Sequence, residues 1–330
     1  MTTARGAATE RAGQRGTGRC GPVGSRSRGR RRATALLVAL LVLAHALALL
    51  ASCGGGAGGA PASAAPDPPT DPGLSPEPVP EASDTETSAA AAPVVYLLGG
   101  SGARECVVSN ADWGAELSRL ADADVRAVDL GATNQSYTAD RHYVCNMEDR
   151  PALVVIGVSL GRYTTPPPSQ VECDKKLSPP LQAALDGEVE VEHRYTETRI
   201  KSDERKAQLL QTWLAERYPL FRKNYAANLD ELEALLQACR ERDYAAALLE
   251  LPLDLEAAGD RFDTPRERYG RDCRRLAAKY QARWLSFVDD LRLPSTSFYD
   301  LAHLVEPGRE AWQTRLSEEI APLLSAGALR

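Results

Sequence analysis

From Val94 onward the sequence alternates between two kinds of stretch. Short apolar runs fall at 94–98, 125–130, 153–158, 245–251 and 284–288, and helical patterns fill the gaps at 112–120, 203–217, 229–242, 265–283 and 307–325. Each run is too short for a helix and too continuously apolar for a strand with one wet face, so it reads as a strand buried on both sides. In the third helical pattern Leu229, Leu232, Leu235, Leu236 and Cys239 share one face, which would pack on a sheet. Five strands separated by helices in constant order predict an α/β fold: a three-layer α/β/α sandwich around a five-stranded parallel sheet. Residues 94–330 suffice for one such domain. The stretch 161–201 breaks the pattern with Pro166, Pro167, Pro168, Pro179 and Pro180, an insertion that serves as a lid or is an excursion from the fold.

The first run ends in Gly99-Gly100-Ser101-Gly102. Two glycines let the backbone turn sharply without side chains in the way. Ser101 then stands where strand becomes helix, with unpaired helical N–H groups around its hydroxyl. Such N–H groups can stabilise an oxyanion, so Ser101 is a candidate nucleophile.

A nucleophilic serine needs a base, and a histidine base needs a group to orient it. Past the leader the histidines are His142, His193 and His303, and of these His303 has a carboxylate at a useful spacing, in Asp300-Leu301-Ala302-His303. This pair follows the fifth run and precedes the last helical pattern, so it belongs to the carboxyl edge of the sheet, where Ser101 also lies and where open α/β sheets build their sites. A serine in a glycine turn, or a histidine in a loop, is commonplace alone; the conjunction across one sheet is what points to catalysis.

With these residues in place, the domain resembles the SGNH/GDSL hydrolase superfamily, whose first block sets a serine after strand one and whose last block is Asp-x-x-His before the final helix. The resemblance implies Ser101 as nucleophile, His303 as base and then acid, and Asp300 as its orienter. It also implies that Ser101 and Gly131 lend backbone N–H groups to an oxyanion hole. Two positions depart from the family pattern: Gly-Gly-Ser replaces Gly-Asp-Ser, and Gly157-Val158-Ser159-Leu160 replaces the block that carries an asparagine donor. Ser159, or Asn134 and Gln135 just past Gly131, are the substitutes within reach. Arg104 and Arg162, each just beyond a strand, are candidates to hold an anionic part of the substrate, with Arg104–Glu105 alternatively a helix-end charge pair.

The chain before the domain has its own logic. Residues 1–32 hold nine arginines and one acid; the whole chain is −6, so the remainder is −14. Arginines stand before the apolar run 33–51, which ends in Leu50-Ala51-Ser52-Cys53. That layout is an export signal over residues 1–53, and its end resembles a bacterial lipobox with Cys53 lipidated; an uncut membrane anchor is the alternative. Either way the basic end stays cytoplasmic and the domain lies on the outer face of the cell membrane, so the arginines do not argue for nucleic acid. Residues 54–93 are Gly, Ala, Pro, Ser and acid, the composition of a disordered linker.

Five cysteines follow the leader: Cys106, Cys145, Cys173, Cys239 and Cys273. At most two disulfides can form, with Cys239–Cys273 and a pairing of Cys106 with Cys145 or Cys173 among the options. The spacing fits no zinc motif, and the glycine turn lacks the residues of a nucleotide cradle, although Asp129 would suit a ribose; no metal or cofactor is expected. The expectation is an exported, membrane-tethered serine esterase or acyltransferase acting on acyl esters of cell-envelope glycans or related molecules. The alternatives are a catalytically degenerate SGNH-fold lipoprotein that binds envelope polymer or a partner protein, and a structural lipoprotein whose helices between 203 and 242 dock a partner. No feature of the sequence sets an oligomeric state.

Overall fold

The computed structural model describes residues 92–148, 150–168 and 173–324. The export signal, Cys53 and the linker up to residue 91 lie outside the described residues. In chain order the elements are β1 (Val94–Leu98), α1 (Ser101–Arg104), α2 (Asn110–Ala121), β2 (Arg126–Asp129), α3 (Tyr137–Asn146) and β3 (Ala152–Val158). Then come α4 (Pro179–Leu185), α5 (Asp203–Thr212), α6 (Tyr218–Glu241), β4 (Ala245–Glu250), α7 (Leu255–Ala258) and α8 (Asp263–Tyr280). The last are β5 (Arg283–Leu285), α9 (Val288–Leu291) and α10 (Glu306–Leu324).

The five strands form one parallel sheet in the order β2-β1-β3-β4-β5. β1 and β3 are buried at every position, because a hydrophobic layer covers each face. On one side Tyr96, Leu98, Val154 and Ile156 pack with Val144 of α3, Phe221 and Leu235 of α6, and Leu276 of α8. On the other, Val95, Leu97, Leu153 and Val155 pack with Trp113 and Leu117 of α2 and with Trp312 and Leu316 of α10. This is the three-layer α/β/α architecture that the alternation of patterns and the SGNH/GDSL resemblance both imply.

Several boundaries differ from the sequence expectation. β5 ends at Leu285, and Val288 opens the helical turn α9 instead of closing the strand. α6 begins at Tyr218, eleven residues before the leucine pattern, because its first turns bury Phe221 and Tyr225 together with Asn224 and Asn228. Those two asparagines donate to the carbonyls of Thr164 and Thr165, so the polar residues are satisfied inside the fold. Within 161–201 the chain forms α4 and short 3₁₀ turns at Leu160–Tyr163 and Glu197–Arg199. Cys145 and Cys173 form a disulfide, while Cys106, Cys239 and Cys273 are buried free thiols. The Cys239–Cys273 pairing and the pairings of Cys106 are therefore not made. Burial pushes the thiols of Cys239 and Cys273 up to about 12, so both are inert.

The strand order reverses direction between β1 and β3, which share an edge while β2 lies on the far side of β1. Open α/β sheets place their sites at such a switch point, outside the carboxyl ends of the strands. The loop after β1 lies at that edge.

Candidate active site

The turn after β1 is shaped by close backbone contacts. Gly99 has φ +156, and a Cβ there would lie 2.7 Å from the Cβ of Ala103, so a side chain is excluded. The carbonyl of Gly100 accepts the N–H groups of Ala103 (2.9 Å) and Arg104 (3.3 Å) and starts α1. The N–H groups of Ser101 and Gly102 accordingly have no partner among the described residues, the usual state of a first helical turn.

From the far end of the chain, residues 295–305 fold back as a tight loop. Phe298 bridges Leu304 in antiparallel fashion, and the N–H of Tyr299 donates to His303 O at 2.8 Å. Beneath the loop Lys206, 1% exposed, donates to Asp254 Oδ2 (2.8 Å), Ser295 Oγ (2.7 Å) and Ser295 O (2.6 Å). The N–H of Asp254 in turn reaches Leu301 O at 2.9 Å. A buried charge needs such a full set of partners, and here they pin the loop to α5 and to Asp254 at the start of α7. Nothing in the sequence around Lys206, a run of charges on a helix, distinguishes it from a solvated lysine.

The loop brings His303 to Ser101. Ser101 Oγ lies 2.8 Å from His303 Nε2, and His303 Nδ1 lies 2.9 Å and 3.0 Å from the two carboxylate oxygens of Asp300. Asp300 Oδ1 also accepts the N–H groups of Ala302 (3.0 Å) and His303 (3.1 Å). Burial works to raise the pKa of Asp300, but the hydrogen bonds from the imidazole and the two backbone donors outweigh it and hold it below its ordinary value. Both Asp300 and His303 side chains are 19% exposed, so the line of three groups is partly open to solvent. With Nδ1–H facing a carboxylate, Nε2 is left to accept the serine proton.

The remaining candidates sit differently from expectation. The N–H of Gly131 donates to Asp129 Oδ1 at 2.7 Å, so it is not free for an oxyanion. Gly131 is packed tightly all the same, since a Cβ there would lie 2.4 Å from Arg104 N. Asp129 is buried with its second oxygen unpartnered among the described residues, and burial raises its carboxyl to about 7 despite the Gly131 bond. Asn134 is exposed at φ +60 and makes no side-chain hydrogen bond among the described residues; its neighbour Gln135 is held by Asp140 at 2.6 Å. Ser159 is half-buried just past β3, and its hydroxyl makes no cap hydrogen bond to the turn that follows.

Neither arginine is free for substrate. Arg162 is 8% exposed, donates to Asp140 Oδ2 and to Gly157 O at 2.6 Å each, and lies over the ring of Tyr137. It supports the glycine turn from below, because its guanidinium is spent on a buried acid. Arg104 is 6% exposed and gives Nε and Nη2 to Glu105 Oε1 and Nη1 to Thr133 Oγ1. The pair Arg104–Glu105 is thus a buried ion pair rather than a helix-end one.

Glu105 is the least anticipated feature. It is fully buried and also accepts from Arg309 Nη2 (2.8 Å), His193 Nδ1 (3.2 Å) and the N–H of Arg194 (3.2 Å). Burial alone would raise its carboxyl, yet these donors bring it down to about 2. Through them, the insertion is fastened across α1. It carries Tyr195 onto the imidazole, with 4.5 Å between the ring centroids of Tyr195 and His303 and 4.4 Å between those of Tyr195 and Tyr299.

No protein-family model and no curated protein sequence matches the chain. Among solved structures, it is similar to a catalytic mutant of an acetylxylan esterase from Geobacillus stearothermophilus. That similarity has a TM-score of 0.42 and 11% identity, and covers 73% of this chain and 97% of that chain. It is also similar to TesA, with a TM-score of 0.37, 17% identity, and 70% and 97% of the two chains covered. What the site can do follows from its own groups: a hydroxyl, an imidazole and a carboxylate in line, beside two N–H groups without a partner among the described residues.

Proposed function

We propose that the domain is a serine esterase or acyltransferase of the SGNH type. The observation that carries this reading is the unbroken line from Ser101 Oγ through His303 to Asp300. Ser101 Oγ attacks an acyl carbonyl while His303 Nε2 takes its proton, and Asp300 steadies the imidazolium that forms. Negative charge then grows on the carbonyl oxygen. The N–H groups of Ser101 and Gly102, unspent at the start of α1, are the donors on hand to receive it. Collapse breaks the ester bond, His303 protonates the departing alcohol, and water or an acceptor hydroxyl repeats the sequence in reverse to free the acyl group.

The chain outside the described residues supports a location for this chemistry. An export signal ending at Cys53 and a linker of about forty residues would tether the domain to the outer face of the membrane, within reach of acyl esters on envelope glycans. Cys53→Ala should then release the protein from the membrane fraction; retention uncut would favour a spanning anchor.

A second reading is a binding protein without turnover, and one observation favours it. Asp129 occupies the Gly131 N–H, and the residue after β3 is Ser159 and not an asparagine donor. Losing one oxyanion donor costs on the order of 10²–10³ in rate. Turnover of p-nitrophenyl acetate and longer acyl esters by the purified protein, compared with Ser101→Ala, separates the two. Serine-dependent hydrolysis supports the enzyme; equal background rates support the binder.

A further inference from the structure

The insertion does not simply cover the site. Residues 189–195 form a strap fixed at several points. Asn110 holds Val189 O and the carboxylate of Glu190, Glu105 holds the His193 ring and the Arg194 N–H, and Arg309 donates to the carbonyl of Tyr195. His193 Nε2 is in addition 2.8 Å from Val108 O. On the other side of Tyr195, Lys201 N and Nζ donate to the carbonyl (2.9 Å) and hydroxyl (2.8 Å) of Tyr299. Tyr195 is held from both directions, and its ring lies against His303 with 40° between the planes. The groups about the imidazole are thus Ser101 at Nε2, Asp300 at Nδ1 and the tilted ring of Tyr195, which stacks in turn on Tyr299 and feels the charges of Arg104 and Glu105.

We infer that Tyr195 is a positioning residue for the catalytic base: it fixes the plane of the His303 ring and stabilises the imidazolium formed when Ser101 is deprotonated. The inference rests on the serine-hydrolase reading of the site. Asp300 restrains the ring at one nitrogen, leaving rotation about that hydrogen bond open; a ring packed on the face removes that freedom. The electron-rich face of an aromatic ring attracts a cation and has little to offer a neutral imidazole. That attraction therefore appears only as the proton moves from Oγ to Nε2, the kind of interaction that raises kcat without tightening substrate binding. Burial and the nearby Asp300 carboxylate raise the pKa of the Tyr195 phenol, so it stays neutral and keeps its ring in this role.

The test compares the full-length wild type with Tyr195→Leu and Tyr195→Phe, reading kcat, KM and the pH dependence of kcat/KM for an aryl ester. Tyr195→Leu should lower kcat roughly three- to thirtyfold, leave KM within about twofold, and move the acid limb of the kcat/KM profile to lower pH. Tyr195→Phe should restore most of both effects. Phenylalanines with one to three ring fluorines at position 195 keep the shape and drain the ring face, so kcat should fall stepwise with fluorine count even if the leucine variant does not fold. Unchanged kcat and pH profile across the fluorinated series, with the wild type still hydrolysing ester through Ser101, would overturn the inference and leave the hydrolase reading standing. Absence of Ser101-dependent hydrolysis in the wild type would overturn that reading and this inference with it.

Discussion

Ser101 Oγ and His303 Nε2 lie 2.8 Å apart although 202 positions separate them in the chain. The parallel sheet makes the meeting possible: β1 delivers the serine to its carboxyl edge, and the loop between β5 and α10 returns the histidine to the same edge. Asp300 then fixes which nitrogen faces the serine.

Replacing Asp300 by asparagine keeps an oxygen for the N–H groups of Ala302 and His303 but removes the charge that selects the tautomer. Asp300→Asn should lower kcat on the order of 10³–10⁴-fold with a small change in melting temperature. Steady-state kinetics with p-nitrophenyl acetate check this, and an asparagine variant within tenfold of the wild type contradicts it.

Asp129 gives a pH dependence of defined sign. Its carboxyl sits at about 7 in the folded chain against roughly 3.9 in an unfolded one, so the folded state binds the extra proton between those values. Stability is fully present below about pH 4 and is lost as pH rises through 7. Asp129→Asn retains the oxygen that accepts from Gly131 and cannot ionise. Melting curves from pH 4.5 to 8 should slope downward more steeply in the wild type than in the variant; parallel curves would exclude the assignment.

Glu105 acts in the opposite sense, its stabilisation present above the ordinary carboxylate range and lost as pH falls toward 2. At neutral pH Glu105→Gln leaves Arg104 and Arg309, both buried, without their counter-charge. Breaking a buried pair on one side costs about 3–5 kcal/mol, a loss measurable by urea unfolding at pH 7. A variant within 1 kcal/mol of the wild type would show that the network is not a structural centre.

The Cys145–Cys173 bridge ties the end of α3 to the insertion across a separation of 28 residues. Closing a loop of that length stabilises by about 3–4 kcal/mol in the chain-entropy account. Reductant should therefore lower the melting temperature of the wild type and leave Cys145→Ser, already destabilised, unmoved. Equal sensitivity of the two would place the bridge elsewhere.

What the sequence made legible was whatever depends on burial of continuous apolar surface. The first run coincides with β1, and the fourth and third differ from β4 and β3 by one residue. α3 escaped because it buries Thr138 and Asp140 alongside its apolar residues, and a hydrophobic pattern cannot register an acid whose partner, Arg162, lies 22 positions on. Arg104 and Arg162 suggested substrate binding for the same reason: a cation next to a site looks free until its remote or adjacent acid is seen to be buried with it. Asp300 and His303 were readable because they lie within one turn of chain. Tyr195 was not, since an irregular, proline-marked stretch carries no period from which a contact with His303 follows.

The central claim is that Ser101 is a nucleophile activated by His303, and covalent capture addresses it directly. Intact-mass spectrometry of the full-length protein treated with a fluorophosphonate should show one phosphonyl adduct, located on Ser101 by peptide mapping. The adduct should vanish in Ser101→Ala and form far more slowly in His303→Ala. A folded wild-type protein that takes up no adduct, or takes it up equally without Ser101, would contradict the account.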